Sequence, residues 1–237
     1  MISFIIPTLN EEKTIEDTLK SIIAFEGQKE IIISDGKSRD NTIEIAKKYT
    51  NKIVIHSTPE KQNIAQGRNA GAREAIGDYF VFMDADVIIP NANVFFAKAL
   101  KYFEEDEKLI ALTAECVVLK EMANFFDIVI FKLVGLYFSF LNYIGFGGAG
   151  GEFQMIKKES FLQVHGFDPH LSVSEDMDLF WRLAKNGKTR LPLGLKVYHT
   201  GRRAHKIGWP RLLWQWVSNT ISVFFFKKSD DEWVEIR

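Results

Sequence analysis

Between Tyr79 and Met83 five apolar residues, Tyr-Phe-Val-Phe-Met, run without a break and stop at Asp84-Ala85-Asp86. The run is short, rich in aromatic residues, and preceded by the turn signal Gly77-Asp78. It reads as a strand buried on both faces, central in a parallel or mixed sheet. Packing alone does not explain two carboxylates at its end, because unpaired charges are costly to bury. At the carboxyl edge of an open α/β sheet they project into the crevice where ligands of such sheets sit. Two hard oxygen donors there suit Mg2+ or Mn2+ bridging to a diphosphate. A solvated acidic turn fits the same spacing, and Asp-x-Asp alone does not decide between the two.

Residues 1–86 alternate strand and helix. Ile2 to Ile6 is a strand stopped by Pro7; Asn10 then stands as N-cap of an amphipathic helix carrying Ile15, Leu19, Ile22 and Ile23, to about Phe25. Glu30 to Ser34 is a second strand ending at Asp35-Gly36, and Ile53 to Ile55 a third. Between them Ser38, Asp40 and Thr42 read as caps of another helix. Ile64 to Ala75 is helical and leads into the strand at Tyr79. This alternation predicts a parallel, doubly wound nucleotide-binding half. The sequence holds neither Gly-x-Gly-x-x-Gly after the first strand nor a P-loop. A nucleotide would therefore be held by side chains rather than by a glycine cradle. Asp35 can accept from a base or ribose, or simply form a turn. Arg68, among the small residues of Gln66 to Gly71, carries a donor fork suited to phosphate; a surface arginine fits equally well.

Beyond Pro90 the alternation loosens. Val94 to Phe103 reads as a helix, Leu109 to Leu119 as a strand bent near Glu115, and Phe153 to Ile156 as a short strand. Phe125 to Phe146 is near spanning length, but Asp127, Lys132, Asn142 and two glycines favour a helix at a membrane interface or over an acceptor cleft. Glu175, Asp176 and Asp178 open a helix after Ser174. Such acids either favour the helix dipole or aim a general base into a cleft. Arg190 to Tyr198 reads as a last strand ending at His199. Trp209 to Phe226, flanked by basic residues, reads as a helix that is either interfacial or packed on the core.

Bulk properties agree with one large domain: 237 residues, 46% apolar and 26% charged. A net charge of -1 offers no argument for nucleic acid. The single cysteine, Cys116, rules out an internal disulfide or a thiolate cage and reads as a small core residue. The opening Met-Ile-Ser-Phe-Ile-Ile-Pro lacks a basic leader, so a cytoplasmic location is expected, at the membrane's cytoplasmic face if the aromatic segments bind it.

Taken together, the set resembles the family 2 glycosyltransferases of the GT-A fold over most of residues 2–200. It comprises Pro7-Thr8-Leu9-Asn10-Glu11, Ser34 to Thr42, Gln66 to Gly71, Asp84-Ala85-Asp86, Gly166-Phe167-Asp168, and Glu175 to Leu179 with Arg182-Leu183. The resemblance implies an α/β GT-A fold with a Rossmann-like mixed central sheet flanked by helices. It implies inverting transfer of a sugar from a UDP- or GDP-sugar to an acceptor hydroxyl or phosphate, with Mg2+ or Mn2+. Pro7, Thr8, Asn10, Glu11 and Asp35 would line the nucleoside pocket, Arg68 would approach the diphosphate, and Asp84 and Ala85 would lie along the donor. Asp86, with Asp84 and His199, would hold the metal. Asp176, with Glu175 beside it, would be the general base. Residues 1–205 would form the catalytic domain, split at 90 into nucleotide and acceptor halves, and 206–237 a carboxy-terminal amphipathic helix and tail. Expected partners are the donor, an acceptor sugar or lipid-linked acceptor, a membrane surface, and a second copy if the aromatic segments pair between chains. Three positions depart from the pattern: Ile64 stands where glycine is frequent, His165 replaces one glycine, and no Gln-x-x-Arg-Trp follows Gln215. The competing reading is a nucleotide-sugar-binding regulatory module without catalysis.

Overall fold

The computed structural model describes residues 1–230, so the end of the expected tail, 231–237, lies outside the described residues. In chain order the elements are β1 (Ile2–Thr8), α1 (Ile15–Ile23), β2 (Lys29–Asp35), α2 (Thr42–Ala46), β3 (Ile53–Ile55), α3 (Ile64–Arg73), β4 (Tyr79–Met83), α4 (Ala92–Glu105) and β5 (Leu109–Thr113). Then come β6 (Glu115–Val118), α5 (Phe125–Tyr143), β7 (Phe153–Lys157), α6 (Lys158–Gln163), α7 (Glu175–Ala184), β8 (Lys188–Arg190), β9 (Lys196–His199), α8 (Arg202–Ile207) and α9 (Trp209–Phe226).

The main sheet has the order β3-β2-β1-β4-β7-β5-β8. β1 pairs in parallel with β2 on one side and β4 on the other. The chain thus reverses its course across the sheet at β1, and ligands of such sheets bind outside the carboxyl ends of the strands at that point. β7 lies antiparallel between β4 and β5, which makes the sheet mixed. β6 and β9 form a separate parallel pair.

Side-chain alternation fills both faces of the sheet. Phe4 and Ile6 of β1, with Val81 and Met83 of β4, pack with Ile15, Leu19 and Phe96 of α1 and α4. Ile5, Phe80 and Phe82 point the other way, into a cluster with Ala65, Phe161 and Leu179 of α3, α6 and α7. The uninterrupted apolar run at 79–83 is the signature of a strand covered on both sides.

Helix α3 sits unusually close to this sheet. A capping box between Asn63 and Gln66 fixes its start. At Gly71 an added Cβ would lie 2.6 Å from Cγ2 of Ile5 in β1. Gly71→Ala gains about 1 kcal/mol of helix propensity but overpacks a dense core, which typically costs about 1–3 kcal/mol. Because Ile5 is β-branched and fully buried, the overpacking cost falls at the upper end of that range, leaving a net loss of about 2 kcal/mol and a fall in Tm of roughly 4–8 °C, read by differential scanning calorimetry. An unchanged Tm would mean that α3 is free to lift from β1.

Several sequence expectations need correction. Residues 109–119 are two strands in different sheets, parted at Ala114, not one bent strand. Residues 190–198 are likewise not one strand: β8 ends at Arg190, Pro192 has no N–H for a ladder, and Gly194 turns with φ 73° before β9. Asn10 does not cap α1, which starts five residues later. It sits at φ 56°, and its side-chain oxygen accepts from Arg39 N at 2.8 Å. The aromatic helix ends at Tyr143, short of Phe146.

Candidate active site

At the carboxyl ends of β1 and β4 a cavity of about 880 Å³ opens, roofed by α5 and α9. Pro7, Thr8 and Glu11 line it from the β1 side, Asp84, Ala85 and Asp86 from the end of β4, Glu175 and Asp176 from the start of α7, and His199 from the end of β9. Arg68 reaches it from α3. Asn10 and Asp35 are not among its lining residues.

Arg68 organises the floor. The small residues Gly67, Ala70 and Gly71 draw α3 so close that the Arg68 side chain is only 1% exposed. A buried guanidinium must be paired. Its Nη1 donates to Glu175 Oε1 at 2.6 Å, and its Nη2 to Asp84 Oδ1 at 3.0 Å and to Gly151 O at 2.9 Å. Gly151 permits that approach, since a Cβ there would lie 2.8 Å from Nη2. The Phe167 ring stacks against the guanidinium carbon at 5.3 Å. Phe167 is itself pinned by Asn69, which donates to its carbonyl at 2.8 Å and accepts from its N–H at 3.0 Å. Arg182, paired with Asp178, donates to the carbonyls of Val164 and Gly166 and holds the same turn from α7. In that turn His165 takes a left-handed φ of 61°, the conformation a glycine would adopt freely.

Arg68, expected at a diphosphate, lines the cavity, and both of its terminal nitrogens also donate to protein acceptors. Its Nε is buried with no hydrogen-bond partner. Its ion pairs hold Asp84 and Glu175 and offset their charge.

The carboxylates crowd one another. Asp84 keeps 36% of its side-chain surface exposed, yet its place deep in the cavity, with the charges of Asp86 and Glu152, pushes its carboxyl up to about 7 against the pull of Arg68. Removal from solvent and the charge of Asp176 raise Glu175, opposed by Arg68. Asp176 is raised by the same withdrawal from water and by Glu152 and Asp84, while Arg68 and the Met177 N–H hold it down. At the start of α7, Glu175 is turned onto Arg68, while Asp176 accepts from the first-turn Met177 N at 2.8 Å and also lines the cavity.

On the β1 side, Asp35 is fully buried and accepts from Thr8 Oγ1 at 2.8 Å, Ser38 N at 2.7 Å and Ser38 Oγ at 2.6 Å. Both its oxygens hold the loop together rather than face the cavity. Glu11 receives a bidentate pair from Arg202 at 2.7 and 2.8 Å. Arg202 Nε also lies 3.3 Å from Asp86 Oδ2, which accepts from Thr200 Oγ1 at 2.6 Å. His199 Nδ1 accepts from Gly201 N at 3.3 Å, so the neutral ring carries its proton on Nε2, which is buried without a hydrogen-bond partner.

Sequence reading missed Arg202, Thr200 and Glu152. Arg202 was visible only as part of a basic stretch; nothing in local periodicity says that it folds back onto Glu11.

Among the described residues no three His, Cys, Asp or Glu side chains form a ready metal cage. Asp84 and Asp86 nevertheless fit a divalent cation. Mg2+-type ions keep several waters and bind through one or two carboxylates plus substrate phosphates. Ligation by His199 Nε2 would require the ring to exchange its proton onto Nδ1 and give up the bond from Gly201. Cys116 lines the cavity half-buried, and burial keeps its thiol protonated, which removes it as a nucleophile.

Comparison with known proteins covers most of this fold. The model of the family described as glycosyl transferase family 2 matches residues 3–132. The poly-beta-1,6-N-acetyl-D-glucosamine synthase of Staphylococcus aureus (strain COL) is 29% identical over 194 residues, covering 78% of this chain and 46% of that protein. The chain thus spans about half the length of the curated relatives it matches. A mannosyltransferase from Pyrobaculum calidifontis, solved with GDP-Man and Mn2+, superposes with a TM-score of 0.71 at 21% identity, over 93% of this chain and 64% of its own. Glucosyl-3-phosphoglycerate synthase from Mycobacterium tuberculosis, solved with Mn2+, UDP and phosphoglyceric acid, gives 0.64 at 20% identity, over 94% and 77%. These solved structures share the mixed sheet flanked by helices of the GT-A glycosyltransferases.

Proposed function

The chain belongs to glycosyl transferase family 2, and from that premise we propose that it moves a sugar from a UDP- or GDP-sugar to an acceptor hydroxyl by a single inverting displacement. One observation carries the reading: Asp84, Asp86, Glu175 and Asp176 line one cavity together with Thr8 and Glu11, at the carboxyl edge of the switch-point strands. GDP-Man bound to one protein of the same fold and UDP bound to another support the choice of donor.

Thr8 and Glu11 flank the nucleoside, and the loop held by Asp35 keeps Thr8 in place. A divalent cation held by Asp86 and Asp84, with His199 as a further ligand after proton exchange, would offset the charge that builds on the departing diphosphate. Asp176 takes the proton of the attacking hydroxyl as that oxygen bonds to the anomeric carbon and the bond to the diphosphate breaks. Removal from water raises its affinity for that proton toward the working range of a base at neutral pH. Glu175, tied to Arg68, holds the start of α7 so that Asp176 faces the acceptor. No covalent nucleophile is needed in such a displacement. Gln215 is followed by Trp216-Val217-Ser218-Asn219 rather than the polymer-synthase signature, which disfavours processive polymer synthesis.

The test is Mn2+-dependent donor binding. Native protein should show a rise in Tm with UDP- or GDP-sugar that requires Mn2+, since a ligand selective for the folded state stabilises it. Asp86→Asn should weaken that binding by an order of magnitude or more and abolish product. If Asp86→Asn binds and transfers as well as the native protein, the metal role fails. If donor binds but native protein transfers to no acceptor, the non-catalytic module is the better reading.

A further inference from the structure

Beyond the carboxylates the cavity continues between α5 and α9, where its wall is largely apolar. α5 and α9 run side by side above it and meet at two points. Near the start of α5, Phe131 packs edge-on against Trp209 at 5.3 Å and Trp216 at 6.4 Å. Near its end, Leu141 clusters with Val223 of α9 and with Met177 and Trp181 of α7. Between these points the helices stand apart. Val134, Gly135 and Phe138 on one side and Leu213, Val217 and Ile221 on the other line the same cavity as Asp176 and Arg68. A Cβ built on Gly135 would meet nothing within 4 Å. The result is an apolar slot, closed at both ends, whose inner end is marked by Met177, the neighbour of Asp176.

Val217 and Ile221 line the slot and are also half exposed, which places them at its mouth. Around that mouth the outer faces of both helices are apolar: Phe126, Leu133 and Phe140 on α5, Trp214 and Phe225 on α9 are exposed. Exposed cations on these helices and at the end of α9, Lys132, Arg211 and Lys228, edge these faces, with Glu121 and Asp230 exposed beyond the helix ends, whereas the one carboxylate of α5, Asp127, is buried under His205 and Trp209. Apolar faces edged by cations match the interface of an anionic bilayer.

Resting on the transferase reading above, we propose that the acceptor is a membrane-borne amphiphile: its hydrocarbon chain lies in the slot between α5 and α9, and its hydroxyl-bearing head stands at Asp176. A hydroxyl rather than a phosphate head follows from the position of a base at the inner end of the slot.

The experiment uses n-alkyl β-maltosides from methyl to decyl, below their micellar concentrations, with the 237-residue protein. Affinity measured by calorimetry should rise roughly three- to fourfold per added methylene, the increment for burying a CH2. Gly135→Leu fills the slot where there is open space and should lower decyl maltoside affinity at least tenfold, while the Tm of the variant reports its folding separately. Farnesyl maltoside of comparable length distinguishes the source of the chain: stronger binding points to an isoprenoid carrier, weaker binding to an acyl or alkyl lipid, and either supports the slot. Native protein should also float with vesicles of phosphatidylcholine and phosphatidylglycerol at low salt. Affinity independent of chain length, or a chain-length dependence that survives Gly135→Leu, overturns the proposal. So does a dimer that covers α5 and α9 with no vesicle binding. Mn2+-dependent donor binding in the same samples separates the two failures: its presence leaves the transferase reading standing, and its loss removes the premise.

Discussion

Asp176→Asn is expected to lower the transfer rate by about 10²–10⁴-fold, the usual contribution of a positioned general base, or roughly 3–5 kcal/mol of barrier. The substitution keeps the size of the side chain, and an amide oxygen can still accept from the Met177 N–H that Asp176 engages at 2.8 Å. The start of α7 and the Arg68–Glu175 pair are therefore retained, and donor affinity should stay within a few-fold. The pH profile gives a second readout. Withdrawal from solvent, reinforced by Glu152 and Asp84, raises the Asp176 carboxyl above the ordinary carboxylate range. The basic form is then populated only as pH climbs through that raised value. The native rate should fall on acidification at a higher pH than a solvated aspartate would give. In Asp176→Asn the remaining activity should lose that limb. A variant that keeps both the rate and the limb would remove Asp176 from the chemistry.

Arg68→Met should produce the largest loss of stability. It removes the cation from between Glu175 and Asp84, at 2.6 and 3.0 Å, and leaves Glu175, buried, uncompensated. Breaking a buried pair by deleting one partner typically costs about 3–5 kcal/mol. For a chain of this size that lowers Tm by roughly 6–20 °C. The sign of its pH dependence follows from linkage. Carboxyls whose folded pKa lies above the unfolded value stabilise the fold below the unfolded pKa and lose that contribution as pH rises through the folded one. Asp84 and Glu175 are already raised, and loss of Arg68 raises them further. The Tm deficit should therefore be larger at pH 8 than near pH 5. The double variant Arg68→Met with Glu175→Gln should recover part of the deficit, because a neutral amide needs no counter-ion. Equal deficits at both pH values would show that the carboxylates are not what Arg68 balances.

The centre of the fold was legible in the sequence because its signals are local. The five apolar residues at 79–83 announce a strand covered on both sides, and the two acids that follow announce its ligand-facing end. The ordered set running from Pro7 through Arg68 to Asp176 named residues of which, Asn10 and Asp35 apart, Pro7, Thr8, Glu11, Arg68, Asp84, Asp86 and Asp176 stand around one cavity. Longer-range geometry was not legible. Asp35 stands at the expected strand end, but the neighbouring Thr8 and Ser38 capture its oxygens. Arg68 carries the right donor fork, yet the glycines and alanines that surround it draw it down to Asp84 and Glu175. The break at Pro192 was hidden inside a plausible apolar run. Arg202 escaped notice because its partner Glu11 is 191 residues away, beyond the reach of any periodicity.

That same span has a biosynthetic corollary. On the ribosome the β1 side of the crevice emerges before the rest of it, and Glu11 has no cation from Arg202 until 191 further residues have been translated. A nascent chain halted after β7 would carry Asp84 and Asp86 but neither Asp176 nor the arginine clasp. Of the two helices that roof the crevice, α5 is therefore made early, whereas Asp176, the arginine clasp and α9 are made last and complete the cavity together.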